Sequence, residues 1–347
     1  MIIGLTIILV LVLFLPFTKI VERNLEVFLF IMGVLSALVS QVLNRDLINE
    51  ALIHPINITL AVLVAGLLFR WFQGTIKKGV LGISKAIPYR LFIALLVIIL
   101  GLISSLITAI IAAIILVSVI SVLEMDKKSE IRLVVLACFA IGMGAALTPI
   151  GEPLSTIVVS KLDEDFMYLF QLIGVYVIPG IIVFGILAAF LVKSREESNK
   201  ILGQSAPGST NPDTESQVES YAEIIIRSLK IYLFVMALTF LGAGFQPFIE
   251  EYLLDLNPLI LYWINIVSAV LDNATLAAAE ISPVMNETTI RDILLGLLVS
   301  GGMLIPGNIP NIIAAGKLKI TSLQYARFAI PVGLIAMVVY FVVILVI

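Results

Sequence analysis

Twice in this chain a long apolar stretch is interrupted by the same two polar features in the same order. That pattern leaves few ways to fold. The first copy reads SSLIT (Ser104 to Thr108) and then TPIGEPLSTIVVSKL (Thr148 to Leu162); the second reads SAVLDNAT (Ser268 to Thr275) and then IPGNIPNIIAAGKL (Ile305 to Leu318). Placing Gly151-Glu152 on Gly307-Asn308 takes an offset of 156 residues and brings Lys161-Leu162 onto Lys317-Leu318. Placing Ser104 on Ser268 takes an offset of 164 and sets Thr108 opposite Asp272. Lipid offers no partner to a freed backbone group or a polar side chain, so such interruptions persist only where protein encloses them. The surrounding composition fixes the solvent: 61% hydrophobic and 13% charged residues, with a mean hydropathy of +1.15. Soluble domains carry about 25% charged residues.

Spans are expected at 2–17, 25–43 and 56–72, followed by a basic amphipathic stretch from Gln73 to Tyr89. Leu91 to Leu123 then runs for 33 residues without a charge. As one straight helix it would be about 50 Å long against a hydrocarbon core of about 30 Å. Two arms meeting near Ser104–Thr108, a re-entrant hairpin, fit better. Ile131 to Leu162 is broken by Pro149, Gly151 and Pro153, which remove a donor and permit unwound backbone. A span at 166–192 closes the first half. The polar segment from Lys193 to Ser220 reads as a flexible linker. The second half repeats the order: a span at 221–245, an amphipathic stretch from Phe245 to Leu256, a hairpin from Asn257 to Met285 and a broken helix from Ile290 to Lys317. A span from Ser322 to Ile347 completes it. The expected fold is an all-α polytopic membrane protein with inverted repeats, each holding a re-entrant hairpin and a broken transmembrane helix. Residues 1–49 are N-terminal spans without a repeat partner, 50–193 the first repeat, 194–220 the linker and 221–347 the second repeat.

Tracing the crossings sorts all but three of the 21 basic residues, Arg45, Lys161 and Arg291, onto one side. That side is expected to be cytoplasmic and to carry the linker, with both termini outside, in a multi-pass protein of the plasma membrane. The apolar start lacks a basic leader and a small-residue cleavage site, so it reads as a span rather than a signal peptide. One cysteine, Cys138, excludes an internal disulfide and a cysteine-based metal site. No basic stripe with interleaved aromatics points to nucleic acid. No nucleophile–base pair or His/Glu metal spacing points to an enzyme or a resident cofactor. His54, the one histidine, reads as a surface residue of an outer loop.

Asp272 sits about half a membrane deep in an apolar run, where a charge costs at least about 2.5–3.5 kcal/mol. It reads as a cation ligand and proton acceptor, and Asp-Asn also suits a helix N-cap. Glu152, between Gly151 and Pro153, is the second carboxylate, with Asn308 and Gly307 at the matching place in the other half. Asn273, Asn311, Ser104, Ser105, Thr108, Thr148, Ser155, Ser268 and Thr275 complete an oxygen-rich set suited to a hard cation. The hydroxyls equally suit bonds back to their own helices. Glu280, two turns beyond Asp272, is either an ion-entry or proton-relay group or a solvated acid near the outer surface. The expected function is secondary transport, with a small inorganic cation and protons as partners beside the lipid. Sodium/proton antiport leads; an anion or organic-acid carrier is the alternative.

The stretches SAVLDNATLAAAEISPV (268–284) and PGNIPNIIAAGKL (306–318) resemble the Asp-Asn hairpin tip and the Gly-Asn broken helix of the ion transporter superfamily. That superfamily includes NhaD-type sodium/proton antiporters, arsenite exporters, and citrate and dicarboxylate symporters. The chain is most similar to a prokaryotic branch of uncharacterised cation transporters, and the order of elements extends the resemblance over most of 50–347. The resemblance implies that each hairpin tip faces the break of its partner helix, that the two pairs form the transport site, and that a homodimer forms. The chain departs from relatives at SSLIT, which lacks their Asp/Asn, and it lacks the Ser-Asn-Thr tips of the dicarboxylate branch.

Overall fold

A computed structural model describes residues 1–53 apart from 16, 17 and 23, scattered positions between 55 and 86, 87–193 apart from 124, and 221–346 apart from 253–256, 272, 282 and 284. The expected span at 56–72, the stretch from Gln73 to Tyr89, the linker, His54 and Asp272 thus lie wholly or largely outside the described residues. Among the described residues all regular structure is helical. An N-terminal pair, α1 (Ile2–Phe14) and α2 (Leu25–Val39), precedes α3 (Tyr89–Ile107) and α4 (Ala109–Val122). The first broken unit is α5 (Lys127–Ala145) and α6 (Pro153–Leu162), followed by α7 (Tyr168–Leu191). Then come α8 (Tyr221–Tyr252), α9 (Pro258–Ile264) running into a 3₁₀ turn (Asn265–Ala269), and α10 (Asn273–Glu280). The second broken unit is α11 (Glu287–Gly301) and α12 (Ile309–Lys317), and α13 (Ser322–Val346) ends the chain.

The helix starts follow local chemistry. Asp126 accepts the Ser129 N–H at the head of α5, Asn286 the Thr289 N–H at α11 and Asn257 the Leu259 N–H at α9. Each satisfies an amide that has no intrahelical partner. Proline stands in the first turn of α6, α9 and α12, where its missing donor is harmless.

Tyr89–Ile107, Tyr168–Leu191, Tyr221–Phe248 and Ser322–Val346 are long and apolar enough to cross a membrane. Large apolar side chains stand exposed along them, Val175 at 70% and Ile335 at 66%. Water does not sustain such faces and a bilayer covers them. The chain is a membrane protein.

Two elements differ from expectation. In the stretch expected as the first hairpin, α3 and α4 meet at Thr108 and are unequal, 19 and 14 residues, so that of the two α3 alone is long enough to cross. Ser104 and Ser105 donate to the Gly101 and Leu102 carbonyls one turn back, which lets the helix run through them. Over the described part of the stretch expected from Phe245 to Leu256 no separate amphipathic segment begins: α8 continues past Pro247 to Tyr252, with Phe245 in the core and Phe248 packed against it.

The core is centred on the broken units. From Leu133 to Ala145 every residue of α5 is buried, and so is every residue of α11 from Asp292 to Gly301. Around them α3 packs on α5 and α7, and α2 on α8. Across the halves, α4 lies on α12 and α10 on α6. At one end of the molecule Lys127 Nζ donates to the Leu318 carbonyl (2.7 Å) and Arg132 to that of Leu191 (3.0 Å), gathering the start of α5 with the ends of α12 and α7. At the other, Arg291 pairs with Asp292 and donates to the Tyr176 hydroxyl, while Tyr168 is in electrostatic reach of Glu164 and Glu287.

Candidate functional site

The two breaks share a set of bonds at matching positions. Helix α5 stops at Ala145 and α11 at Gly301, positions 156 apart; α6 resumes at Pro153 and α12 at Ile309, again 156 apart. Between them Leu147 N–H bonds to Gly144 O (3.1 Å) and Met303 N–H to Ser300 O (3.0 Å). Gly151 N–H reaches Thr148 O (3.1 Å) and Gly307 N–H reaches Leu304 O (3.3 Å). Thr156 N–H to Glu152 O and Ile312 N–H to Asn308 O then start the next helices, both at 3.4 Å. The short helices end in the same left-handed cap, Asp163 at φ 56° and Lys319 at φ 52°. Glu164 N–H to Val159 O (3.1 Å) and Ile320 N–H to Ala315 O (2.9 Å) close them as Schellman motifs.

Glycine is required at the centre of each break. A Cβ on Gly151 would fall on the Ala145 carbonyl, and one on Gly307 at 2.5 Å from the Gly301 carbonyl oxygen. The second short helix holds its break through Asn311, whose Nδ2 donates to Gly301 O and Leu304 O (2.9 Å each); at the matching place Ser155 donates to Ala145 O (3.5 Å).

Each hairpin is tied to its own broken unit. Ser104 Oγ donates to Ile141 O and Ser268 Oγ to Leu297 O, both at 3.0 Å, and these two pairs are related by the offsets of 164 and 156. Thr148 donates its hydroxyl to Ser105 O, and Ala109 N–H bonds to Gly151 O (2.9 Å), fixing the first tip against the first break. Thr108 itself sits at φ 75°, ψ 148°, a conformation that β-branched residues avoid. Its hydroxyl accepts the Ile111 N–H (3.4 Å).

A cavity of about 370 Å³ opens where these parts meet, and its walls include Thr108, Gly151, Glu152, Thr156, Asn273 and Asn308. It thus takes residues from both tips and both breaks. Glu152 is 6% exposed, Asn273 3% and Asn308 4%. Asn308 crosses between halves: its amide nitrogen lies where a Cβ on Gly142 of α5 would be. No lysine or arginine is among the described lining residues.

The other expected ligands sit elsewhere. Ser104, Ser105, Ser155, Ser268 and Asn311 are buried outside this wall, with donors spent on backbone carbonyls. Gly307 lies in the packed floor of its break against Gly301 and Ser268. Asp272 and the Thr275 side chain fall outside the described residues, between and beside the buried Leu271, Asn273 and Ala274. Glu280 is not a solvated acid: it is 0% exposed, because α6, α8 and α11 all pack on α10. Sequence reasoning passed over Thr156 and Gly142. It also missed Asn265, a lone amide in the apolar run YWINIVSAV that is 1% exposed.

The sequence matches no curated protein. A family model described as "Protein of unknown function (DUF1646)" matches residues 2–347, and the chain belongs to that family.

Proposed function

We propose that the protein is a secondary active transporter of the plasma membrane that exchanges a small monovalent cation, sodium foremost, for protons. The observation that carries this reading is the shared cavity: a carboxylate, two amides and two hydroxyls from both tips and both breaks converge on it, with no basic side chain among the described lining residues. Oxygen donors suit a hard cation. A carboxyl held away from water is tolerated when a proton or a metal ion neutralises it. One site that takes either, but not both, exchanges them. Glu152 is the described carboxylate of this site and Asp272 its expected partner from the other half; coupled carboxyls would titrate as a pair.

The bonds duplicated 156 residues apart, and the meeting of the start of α5 with the end of α12, support two inverted repeats with the site at their interface. Helices α6 and α12 both begin in the cavity wall, and such N-termini attract anions. At α6, however, Glu152 already supplies the negative charge.

The test uses sealed proteoliposomes loaded with a pH dye. An imposed sodium gradient is expected to drive proton flux that falls to background in Glu152→Gln and in Asp272→Asn. Undiminished flux in both variants, or uptake of citrate, succinate or arsenite in place of proton flux, rejects the cation reading.

A further inference from the structure

Glu280, at the end of α10, is 0% exposed, and among the described residues neither carboxyl oxygen has a well-formed hydrogen bond. The polar side chain beside it is Asn265, on the 3₁₀ turn in the first arm of the second hairpin. Asn265 is itself 1% exposed, and its Nδ2 is directed at the Ile293 carbonyl of α11 (3.4 Å). Among the described residues its Oδ1 accepts no hydrogen bond. Three buried oxygens on two adjacent side chains thus lack a well-formed hydrogen bond. Neither residue lines the cavity at Glu152.

Among the described residues, the charges on the surrounding elements do not supply a counter-ion. Helix α6 carries Lys161, and α11 carries Glu287 and the Arg291–Asp292 pair. The 3₁₀ turn carries no charge, and the described charges of α8, Glu223 and Lys230, lie in its first three turns, Lys230 bonded to Glu26. Among the described residues Asn265 is the side chain in hydrogen-bond reach of Glu280, and a neutral amide cannot balance a carboxylate's charge. A bare carboxylate here would be buried and unpaired, which is among the most costly arrangements a fold can hold.

We propose that Glu280 and Asn265 form a proton-binding site enclosed by the second hairpin and α11, separate from the cavity at Glu152. One proton taken from water forms an O–H bond on Glu280, and that O–H donates to Asn265 Oδ1. The same proton removes the charge and satisfies the orphan acceptor. Loss of the proton leaves a carboxylate between α10 and α11 that water must reach, so release is coupled to separation of the hairpin from α11. The site is independent of which ion the cavity takes.

Infrared difference spectroscopy of the purified protein in lipid tests this without a transport assay. The wild type at neutral pH is expected to show the carbonyl stretch of a protonated carboxylic acid that is lost in Glu280→Gln. In Asn265→Leu, which leaves the acid in place, the band is expected to move to higher frequency as its hydrogen bond is lost. A wild-type minus Glu280→Gln spectrum containing only carboxylate bands overturns the proposal. So does replacement of the Glu280 band, the one absent from Glu280→Gln, by carboxylate bands on adding sodium at fixed pH, since the site would then take a cation. Glutamine reproduces the shape and donor of the neutral acid, so a Glu280→Gln protein that cannot fold also counts against it.

Discussion

Thr108 shows how much a single residue is constrained by the place it occupies. It ends α3, starts α4 and lines the cavity, yet its φ of 75° and ψ of 148° lie in a region that favours glycine. Such backbone costs about 1–3 kcal/mol and persists where surrounding contacts hold it, here Ala109 N–H on Gly151 O. Thr108→Gly is expected to relieve that strain while losing only a few tenths of a kcal/mol as a cap, so the protein should unfold at an equal or higher temperature. Thr108→Val keeps the strain and deletes the cap oxygen, for a loss of about 1 kcal/mol. A thermal melt in detergent that ranks valine above glycine would show the tip to be unstrained. At this scale the sequence was legible where polarity and helix breakers coincide: Thr108, Gly151, Glu152, Asn273 and Asn308 were singled out and the cavity joins them. The buried serines were not separable from them, because a hydroxyl turned to its own helix has the same composition as one turned to an ion. Asn265 was hidden for another reason: its counterpart in the first half is Gly101, so comparing the copies gave no second polar residue.

Among the elements, the breaks were legible because proline and glycine mark them, and their bounds fall within a few residues of expectation. Helix continuity was less so. The run SSLIT carries no breaker, so only the structure places the turn at Thr108, and Pro247 does not stop α8, which runs on to Tyr252. The short helices offer a sharper test of the duplication. Asp163 and Lys319 both adopt the left-handed cap conformation, which favours glycine by about 1 kcal/mol before its greater freedom in the unfolded chain is deducted. Their charges differ in effect: an acid at a helix C-terminus opposes the dipole, whereas a base favours it. Asp163→Gly is therefore expected to stabilise by up to about 1 kcal/mol and Lys319→Gly by less, with the same sign. Destabilisation by either variant in matched thermal melts would deny that the two caps are equivalent.

For the whole molecule the decisive quantity is direction. The start of α5 and the end of α12 share one end of the structure, held by Lys127 on the Leu318 carbonyl, while Glu287 at the start of α11 lies near Tyr168 and Glu164 at the other. The apolar exterior says that a bilayer surrounds the chain, but apolarity has no sign, and only the distribution of lysine and arginine in the sequence distinguishes the two faces. If that distribution reads correctly, Lys128 and Lys319 face the cytoplasm, and Asp165 and Thr288 face outward. All four are exposed ends of the broken units. The single native cysteine makes the experiment clean, because Cys138 is 1% exposed and can be replaced by alanine in the background. In intact cells, Asp165→Cys and Thr288→Cys are expected to react with a membrane-impermeant maleimide. Lys128→Cys and Lys319→Cys should react only after the membrane is opened. Labelling of Lys128→Cys and Thr288→Cys from the same side would make the two broken units parallel. Parallel units would leave the bonds at matching offsets as a duplication without inversion, and the cavity between the breaks would then lose its pseudo-symmetric route to both faces.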